Sequence, residues 1–264
     1  MTLTADAFQL TDHVVLVSGA GRGIGRGVAL ACAAFGADVV VAARSVDALQ
    51  LVAAEIHALG RRALVVPTDM ADPAARTALV QAAVAEFGRL DTVVNNVGGT
   101  MPARFPDLTS AAFEDALSFN VTTAFDLTQA ALSHLQTSDN GSVVNISSMA
   151  GLFGIRGLTA YGTAKAALNG LTRNLAQDLA PRVRVNAVAP GLIETDSTQA
   201  LLAIPKYADG VVAATPMRRW GVVEDIAAAV VFLASPAATF ITGQILPVDG
   251  GAAGPVLDWE HPDL

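Results

Sequence analysis

Short apolar runs rich in β-branched residues alternate along the chain with longer segments in which apolar residues recur every three or four positions. The runs predict strands at 13–20, 38–44, 63–69, 90–99, 141–148, 182–190 and 244–251. The segments between them predict helices at 23–37, 45–60, 72–88, 110–136, 158–180 and 223–235. This regular alternation predicts an α/β protein with a doubly wound parallel sheet of about seven strands, flanked by helices.

Residues that favour helix ends agree with these boundaries. Ser45 and the Asp72–Pro73 pair suit the first positions of helices, and Gly36 and Pro181 suit their ends. The strand runs are apolar throughout, as expected when helices cover both faces of a sheet. No linker, repeat or low-complexity tract interrupts the pattern. Residues 1–264 are therefore predicted to form one domain that ends in a C-terminal tail at 252–264.

Residues 226–248 carry no charged side chain over 23 positions, which is long enough to suggest a membrane span. Pro236 and Gly243 divide the stretch into two short apolar pieces around a turn-rich segment. This division favours a buried helix, a turn and a buried strand. No membrane partner is therefore expected.

Composition narrows the possible partners further. The chain is 52% apolar and only 15% charged, which predicts a large core and additional surface buried against partner subunits. Its net charge of -8 and pI near 4.8 argue against a nucleic-acid partner. The single cysteine, Cys32, falls in an apolar helical pattern and cannot form an intramolecular disulfide.

Metal binding and secretion are not expected either. The four histidines, at positions 13, 57, 134 and 261, show no metal-ligand spacing. The stretch "MTLTADAFQLTDH" has neither the basic start nor the apolar centre of a secretory signal peptide. A cytoplasmic location is therefore predicted.

The first predicted strand ends in "SGAGRGIG", where Gly19, Gly23 and Gly25 give the spacing G-x-x-x-G-x-G. Small residues let the backbone approach a pyrophosphate, and the helix that follows directs its first amide groups toward it. A tight turn would explain such a cluster equally well if it stood alone. Its position after the first strand of an alternating chain favours nucleotide binding.

Tyr161 and Lys165 stand four positions apart in a segment that favours helix, so the phenol and the ammonium lie on one face. A positive charge there favours the phenolate and is expected to lower the pKa of Tyr161, which is ordinarily near 10. One such pair means little by itself, because tyrosine more often serves packing. The other motifs of the chain give it meaning.

Several motifs, taken in order and spacing, resemble those of the single-domain short-chain dehydrogenase/reductase family. They are "SGAGRGIG", "NNVG", the asparagine of "SFNV", "SS", "YGTAK" and "APGLIET", with "EDIAAAVVFLAS" and "ITGQILPVDGG" extending the resemblance to about residue 251. Ser18 stands where the family often has threonine, and Val97 where it usually has alanine. The resemblance implies a Rossmann-type fold and a nicotinamide-dependent oxidoreductase acting on a ketone or secondary alcohol.

The resemblance also implies four catalytic residues. Tyr161 would donate a proton to the ketone oxygen, and Lys165 would in addition bind the nicotinamide ribose. Ser148, which lies 13 residues before Tyr161, would donate a hydrogen bond to the substrate oxygen, while Ser147 would point to the opposite face of its strand. Asn120 would orient a water beside Lys165. The other interpretation of Asn120 is a polar residue that disturbs its helix.

Charge at the end of the second strand bears on the choice of cofactor. Family members that prefer NAD carry an acid there, whereas this chain has Ala43 followed by Arg44. Arg22 lies in the glycine loop, and two guanidinium groups suit a ribose 2′-phosphate. NADP(H) is therefore expected, with NAD(H) as the second possibility. The alternative is that both arginines are simply surface residues.

Further cofactor contacts are implied at the carboxyl ends of the predicted strands. The complete set comprises Gly19, Arg22, Gly23, Ile24, Gly25, Arg44, Asp69, Met70, Asn96, Gly98, Tyr161, Lys165, Pro190, Gly191, Ile193 and Thr195. Without the resemblance, the aspartate of this set could be a helix cap and the "APG" segment a strand-ending turn.

Substrate contacts are expected from 99–106, 149–158 and 192–218, which are mostly apolar and favour a hydrophobic substrate. A small anionic substrate is the alternative, since Arg104 and Arg156 carry positive charge in these segments. Ketoacyl reductases, hydroxysteroid dehydrogenases and sugar or polyol dehydrogenases share this layout. The resemblance suggests a homotetramer, and Trp259 in the tail could cover a neighbouring cleft. The alternative function is a regulatory protein that binds NAD(P)(H) without turnover.

Overall fold

Seven parallel strands form one sheet in the order β3-β2-β1-β4-β5-β6-β7 in the computed structural model, which describes residues 4–252 and Gly254. The strands are β1 (Val14–Ser18), β2 (Asp38–Ala43), β3 (Ala63–Pro67), β4 (Thr92–Asn95), β5 (Gly141–Ile146), β6 (Val183–Pro190) and β7 (Ile245–Val248). The order of the strands reverses between β1 and β4, which pair directly. Ligands of doubly wound sheets bind at such a point, beyond the carboxyl ends of the strands.

The helices cover both faces of the sheet, as the apolar strands predict. They are α1 (Gly23–Ala34), α2 (Val46–Ala58), α3 (Pro73–Phe87), α4 (Ser110–Leu117), α5 (Thr123–Thr137), α6 (Thr159–Leu179), α7 (Gln199–Leu202), α8 (Pro205–Ala214) and α9 (Val223–Ala234). One core lies between the sheet and α1, α2 and α9, and Cys32 is fully buried in it. The other core lies under α3, α5 and α6.

The predicted helix caps at Ser45 and Asp72 are confirmed by their hydrogen bonds. The hydroxyl of Ser45 accepts a hydrogen bond from the backbone N–H of Ala48, and the carboxylate of Asp72 accepts one from Ala74. Residues 226–248 divide as predicted into most of α9, a turn and β7. None of the helices in the described part of the chain is long and apolar enough to cross a membrane.

Two features differ from the sequence prediction. The helix expected at 110–136 contains a π-helical turn at Ser118–Thr122, which separates α4 from α5. The mixed segment at 191–222 contains the short helices α7 and α8. The expectation for Trp259 lies outside the described residues. Apolar periodicity alone does not reveal a π-turn, because the segments on either side of it are regular helices.

Candidate active site

The glycine loop joins β1 to α1 at the carboxyl edge of the sheet. Gly19 and Gly23 adopt φ angles of +68° and +52°, which disfavour any side chain. A Cβ on Gly25 would lie 2.3 Å from the carbonyl oxygen of Gly19, so the loop folds back directly onto the first turn of the helix. The first amide groups of α1 have no intrahelical partner and face the cleft there.

Ser18 and Asn96 fasten this loop to the end of β4. The hydroxyl of Ser18 donates to the carbonyl of Val94 (3.2 Å) and accepts from the backbone N–H groups of Asn96 (3.0 Å) and Val97 (3.2 Å). The side-chain amide of Asn96 donates to the carbonyls of Ser18 (2.9 Å) and Gly19 (3.3 Å). Ser18, where the family often has threonine, therefore still supplies the hydroxyl that bonds the glycine loop to the end of β4.

The end of β6 forms the opposite wall. A Cβ on Gly191 would lie 2.7 Å from the Cα of Asp249, so β6 and the residue after β7 touch through their backbones. The hydroxyl of Thr198 donates to the carbonyl of Ile193 (2.6 Å) and accepts from the N–H of Thr195 (2.9 Å). These bonds hold the segment that follows Pro190 in a closed loop.

One cleft of ≈ 990 Å³ unites these elements. All sixteen predicted cofactor contacts line it, and so does Ser148. Of the predicted site residues, Asn120 alone does not, because it is fully buried behind the wall. Residues named in the sequence prediction from seven separate segments thus meet in one place.

The cleft also has lining residues that the sequence prediction missed. Ser45 was identified only as a helix cap, yet it lines the cleft next to Arg44. Thr68 lines it next to Asp69, and Phe119 from the π-turn contributes to another wall. The available signal was position, since Ser45 and Thr68 lie within two residues of the ends of β2 and β3.

Arg22 and Arg44 line the cleft from the glycine loop and from the end of β2. Ala43, also in the lining, places no carboxylate between them. The Asp69–Met70 loop faces them, and buried Arg76 supports this loop by donating to the carbonyl of Met70. Arg76 also forms an ion pair with Asp126 of α5. Two cationic side chains are therefore available at one end of the cleft.

Tyr161, Lys165 and Ser148 meet at the other end. The phenol of Tyr161 forms a side-chain hydrogen bond with Ser148. The ammonium nitrogen of Lys165 lies 5.7 Å from the centroid of the Tyr161 ring and donates to the carbonyl of Ile146 at 2.9 Å. Ser147 points away from the phenol, because its hydroxyl donates to Asn169 at 2.6 Å. The two serines therefore have different partners, although both line the cleft, where alternation along the strand predicts only one.

Burial is the main influence on the pKa values of Tyr161 and Lys165. It raises the pKa of Tyr161 above its ordinary value, and the hydrogen bond with Ser148 opposes this effect without cancelling it. The prediction that Tyr161 has a lowered pKa is therefore wrong for the chain as described. Burial also lowers the pKa of Lys165 to about 8, which weakens this residue as a permanent positive charge.

Asn120 lies in the π-turn and binds the loop after β4. Its side-chain oxygen accepts from the N–H of Gly99 (2.8 Å), and its amide donates to the carbonyls of Gly99 (3.0 Å) and Ala116 (2.8 Å). A Cβ on Gly98 would lie 2.6 Å from both the side-chain oxygen of Asn120 and the ammonium of Lys165. Only glycine therefore fits between these two residues.

The predicted substrate segments contribute unequally. Met149, Ile155, Leu158 and Leu192 line the cleft next to the catalytic candidates. The 99–106 segment does not reach the cleft lining, and its Met101 and Phe105 side chains are largely exposed. Within residues 4–252 and Gly254, no group of three or more His, Cys, Asp or Glu side chains is arranged to hold a metal ion.

A doubly wound sheet with a glycine loop at its switch point, and a Ser–Tyr–Lys group in the same cleft, defines a nicotinamide-dependent oxidoreductase. A family profile described as enoyl-(acyl carrier protein) reductase matches residues 19–253. The chain belongs to the short-chain dehydrogenase/reductase family, whose members act on alcohols and ketones with nicotinamide cofactors.

Three similar proteins cover nearly the whole chain. An uncharacterized oxidoreductase of Mycobacterium tuberculosis is 50% identical over 98% of this chain and 99% of its own. A 3-oxoacyl-[acyl-carrier-protein] reductase of Synechocystis is 40% identical over 92% and 97%. A 7α-hydroxysteroid dehydrogenase, solved with NADH and 7-oxo glycochenodeoxycholic acid, has a TM-score of 0.93 at 36% identity and covers 97% of this chain and all of its own.

Proposed function

We propose that this protein is an NADP(H)-dependent oxidoreductase that interconverts a hydrophobic ketone and its secondary alcohol, with Tyr161 as the general acid and base. The observation that carries the proposal is the contact between the Tyr161 phenol and Ser148, next to Lys165, at one end of the glycine-loop cleft. The bound nicotinamide supplies the hydride to the ketone or accepts it from the alcohol.

The proton that accompanies the hydride comes from Tyr161. Negative charge develops on the ketone oxygen during reduction, and a phenol with a raised pKa is fully protonated at neutral pH. The hydroxyl of Ser148 donates a hydrogen bond to the same oxygen and stabilises its developing charge. In the oxidative direction, Tyr161 must first lose its proton, so burial favours the protonated form needed for reduction and disfavours the phenolate needed for oxidation.

Lys165 and Asn120 act behind Tyr161. Lys165 would hold the nicotinamide ribose through its ammonium group, which lies beside the Tyr161 ring and bonds the buried carbonyl of Ile146. Asn120 keeps the Gly98–Gly99 loop against Lys165, and the family resemblance assigns to it the water that would relay protons. These roles follow the family resemblance, and the close packing around Gly98 supports them.

The glycine cradle fits a dinucleotide, because Gly19 and Gly23 have φ angles that a side chain would strain, beside the uncapped start of α1. Arg22 and Arg44 suit the 2′-phosphate of NADP(H), to which they can donate charge-assisted hydrogen bonds. An acid at Ala43 would repel this phosphate. The proposal of NADP(H) rests on these three residues.

The cleft wall next to Tyr161 favours an apolar substrate. Met149, Ile155, Leu158 and Leu192 line it, and Phe153 packs behind Met149. These side chains offer no ion-pair partner for a carboxylate or phosphate. The substrate is therefore a ketone or alcohol whose carbonyl carbon bears bulky apolar groups.

We also infer a homo-oligomer. Phe119 and Phe125, in the π-turn and α5, each expose more than a third of their surface, and Phe240 before β7 is fully exposed. A contiguous patch of such side chains marks a surface that binds other proteins. The family resemblance implies interfaces at the helices near 110–136 and 158–180 and at the last strand, and Phe119 and Phe125 lie in the first of these segments.

A panel of ketones tests the proposed function directly. NADPH consumption would be followed with β-ketoacyl thioesters, steroid ketones, simple aromatic and aliphatic ketones, and sugars. We expect turnover with the apolar ketones and little or none with sugars. Tight NADPH binding without turnover of any ketone, or of any alcohol with NADP+, would instead support a regulatory protein.

Cofactor affinity should depend on the ionisation of Lys165. Its ammonium, but not its neutral amine, is a strong donor to ribose hydroxyls, so binding favours the protonated form. Because burial lowers the pKa of Lys165 to about 8, the affinity for NADPH should be highest below this pH and fall as the pH rises through it. Fluorescence titration of NADPH across this range measures the effect.

The chain contains one other lysine, Lys206 on α8, which provides a matched control. Lys165→Met should bind NADPH more weakly and lose the pH-dependent step, whereas Lys206→Met should keep it. An affinity for NADPH that is constant between about pH 7 and about pH 9 would contradict the assigned role of Lys165.

A further inference from the structure

The segment that carries Ser148 lies directly on the backbone of α6. A Cβ on Gly151 would lie 2.7 Å from the carbonyl carbon of Lys165, and one on Gly162 would lie 2.9 Å from the carbonyl oxygen of Ala150. Side chains do not pack at such distances. The short turn at Met149–Gly151 is therefore held against the helix at two points where only glycine fits.

Two buried side chains reinforce this contact. The hydroxyl of Ser147 donates to the side-chain oxygen of Asn169 (2.6 Å), and the amide of Asn169 donates to the carbonyl of Gly151 (3.1 Å). Ser147 is 3% exposed and Asn169 2% exposed, so water does not compete for either bond. The two bonds link the residue before Ser148, through α6, to the end of the turn that follows it.

Three consecutive residues at the end of β5 thus meet three residues on one face of α6. Ile146 accepts from Lys165, Ser147 donates to Asn169, and Ser148 bonds Tyr161. The helix residues lie at positions 161, 165 and 169, one turn apart. Two of these three contacts belong to the proposed catalytic group, whereas the third, between Ser147 and Asn169, has no part in the proposed proton transfer.

We infer that Ser147 and Asn169 form a positioning clamp that sets the distance between the hydroxyl of Ser148 and the phenol of Tyr161. The inference rests on the proposed roles of Ser148 and Tyr161. The clamp acts during the reaction by keeping both donors directed at one substrate oxygen. Neither Ser147 nor Asn169 transfers a proton.

Breaking the clamp should impair chemistry more than binding. For Ser147→Ala and Asn169→Ala, we expect kcat to fall roughly 10- to 100-fold, because a displacement of about 1 Å in a catalytic group can cost this much. The affinity for NADPH should change less than about threefold, since the glycine loop and both arginines are untouched. The double variant should lose about as much as the worse single variant, because the two side chains act as one unit.

A pH profile separates positioning from loss of stability. The hydrogen bond from Ser148 lowers the pKa of Tyr161, so a displaced Ser148 leaves that pKa higher. In the oxidative direction, the pH at which kcat/KM reaches half its maximum should therefore move upward by about half a unit or more in the clamp variants. A residue that matters only for stability would lower Tm and leave this midpoint unchanged.

Asn174→Ala is the matched control, because Asn174 lies on the exposed side of the same helix and its side-chain amide donates to the carbonyl of Gly170 within α6. It should show the wild-type kcat and pH midpoint. If Asn169→Ala does not fold, Ser147→Ala combined with Asn169→Leu replaces both partners by apolar side chains of similar volume. The same fall in kcat and the same upward shift are expected from this pair.

Variants of Ser148 distinguish the clamp from the proposed function. If Ser148→Ala lowers kcat, then adding Ser147→Ala to it should cost little more, since the clamp acts through Ser148. If the clamp variants have the same kcat and pH midpoint as the control, the inference about Ser147 and Asn169 is wrong. The proposed function would not be affected by that result. A Ser148→Ala variant with the wild-type kcat would overturn the proposed role of Ser148 itself.

Discussion

Replacing Tyr161 with phenylalanine should lower the rate of ketone reduction by about 10²- to 10⁴-fold, the range typical of a lost general acid. The change removes one oxygen atom and leaves the ring, the glycine loop and Lys165 in place. The affinity for NADPH should therefore stay close to that of the wild type. Steady-state kinetics with the best ketone of the panel, together with fluorescence titration of NADPH, measure both quantities.

Tyr207 supplies the matched control, because the chain contains only two tyrosines. It lies on α8 and does not line the cleft. Tyr207→Phe makes the same chemical change and should alter kcat by less than about threefold. A Tyr161→Phe variant that keeps most of its activity would show that another group donates the proton.

Removing Arg22 and Arg44 together should reverse the choice of cofactor. Charge-assisted hydrogen bonds contribute about 1.5–3 kcal/mol each, so the loss of two should weaken NADPH binding by on the order of 10²-fold or more. NADH has no 2′-phosphate, and its affinity should change little. Titration of both cofactors against wild type and the Arg22→Ala/Arg44→Ala variant gives the ratio directly.

Two further variants sharpen this comparison. Arg26→Ala removes a nearby arginine of α1 that pairs with Glu55 instead of lining the cleft, and it should leave the NADPH-to-NADH ratio unchanged. Ala43→Asp introduces the carboxylate that repels a 2′-phosphate, and it should weaken NADPH binding while favouring NADH. Equal affinities of the wild type for NADPH and NADH would contradict the proposed preference for NADP(H).

The strand and helix pattern could be predicted from the sequence because each element has a strong local signal. Buried strands are apolar throughout, and caps such as Ser45 and Asp72 stand where their side chains reach the first amides. The helices α7 and α8 were missed as elements because they are short and stand among turn residues. Their apolar positions are too few to show a period.

The family resemblance suggested which residues would form the site, and the strand pattern predicted that the carboxyl ends of the parallel strands would lie at one edge. What the sequence could not supply was the balance of interactions at a single atom. Lys165 was expected to lower the pKa of Tyr161, but burial of the phenol raises that pKa, and only the hydrogen bond with Ser148 opposes the increase. The depth of a side chain depends on packing from distant segments, which no local pattern encodes.

Ser147 and Asn169 illustrate the same limit. Ser147 was recognised only as the serine that faces away from the cleft, and nothing in the sequence marked Asn169. Their hydrogen bond joins the end of β5 to the middle of α6, and it exists only once the strand and the helix are packed. Such a pair becomes visible in the structure because both side chains are polar, buried and fully bonded.

The π-turn at Ser118–Thr122 also bears on how this part of the chain tolerates a change in its number of residues. It accommodates one residue more than regular α-helix, so deleting one residue would let α4 and α5 join smoothly. Because the π-turn absorbs the extra residue locally, α4 keeps its packing on α6 while α5 keeps its packing on β4 and β5. The added residue thus changes the path of the chain only at Ser118–Thr122, the turn that carries Phe119 and Asn120.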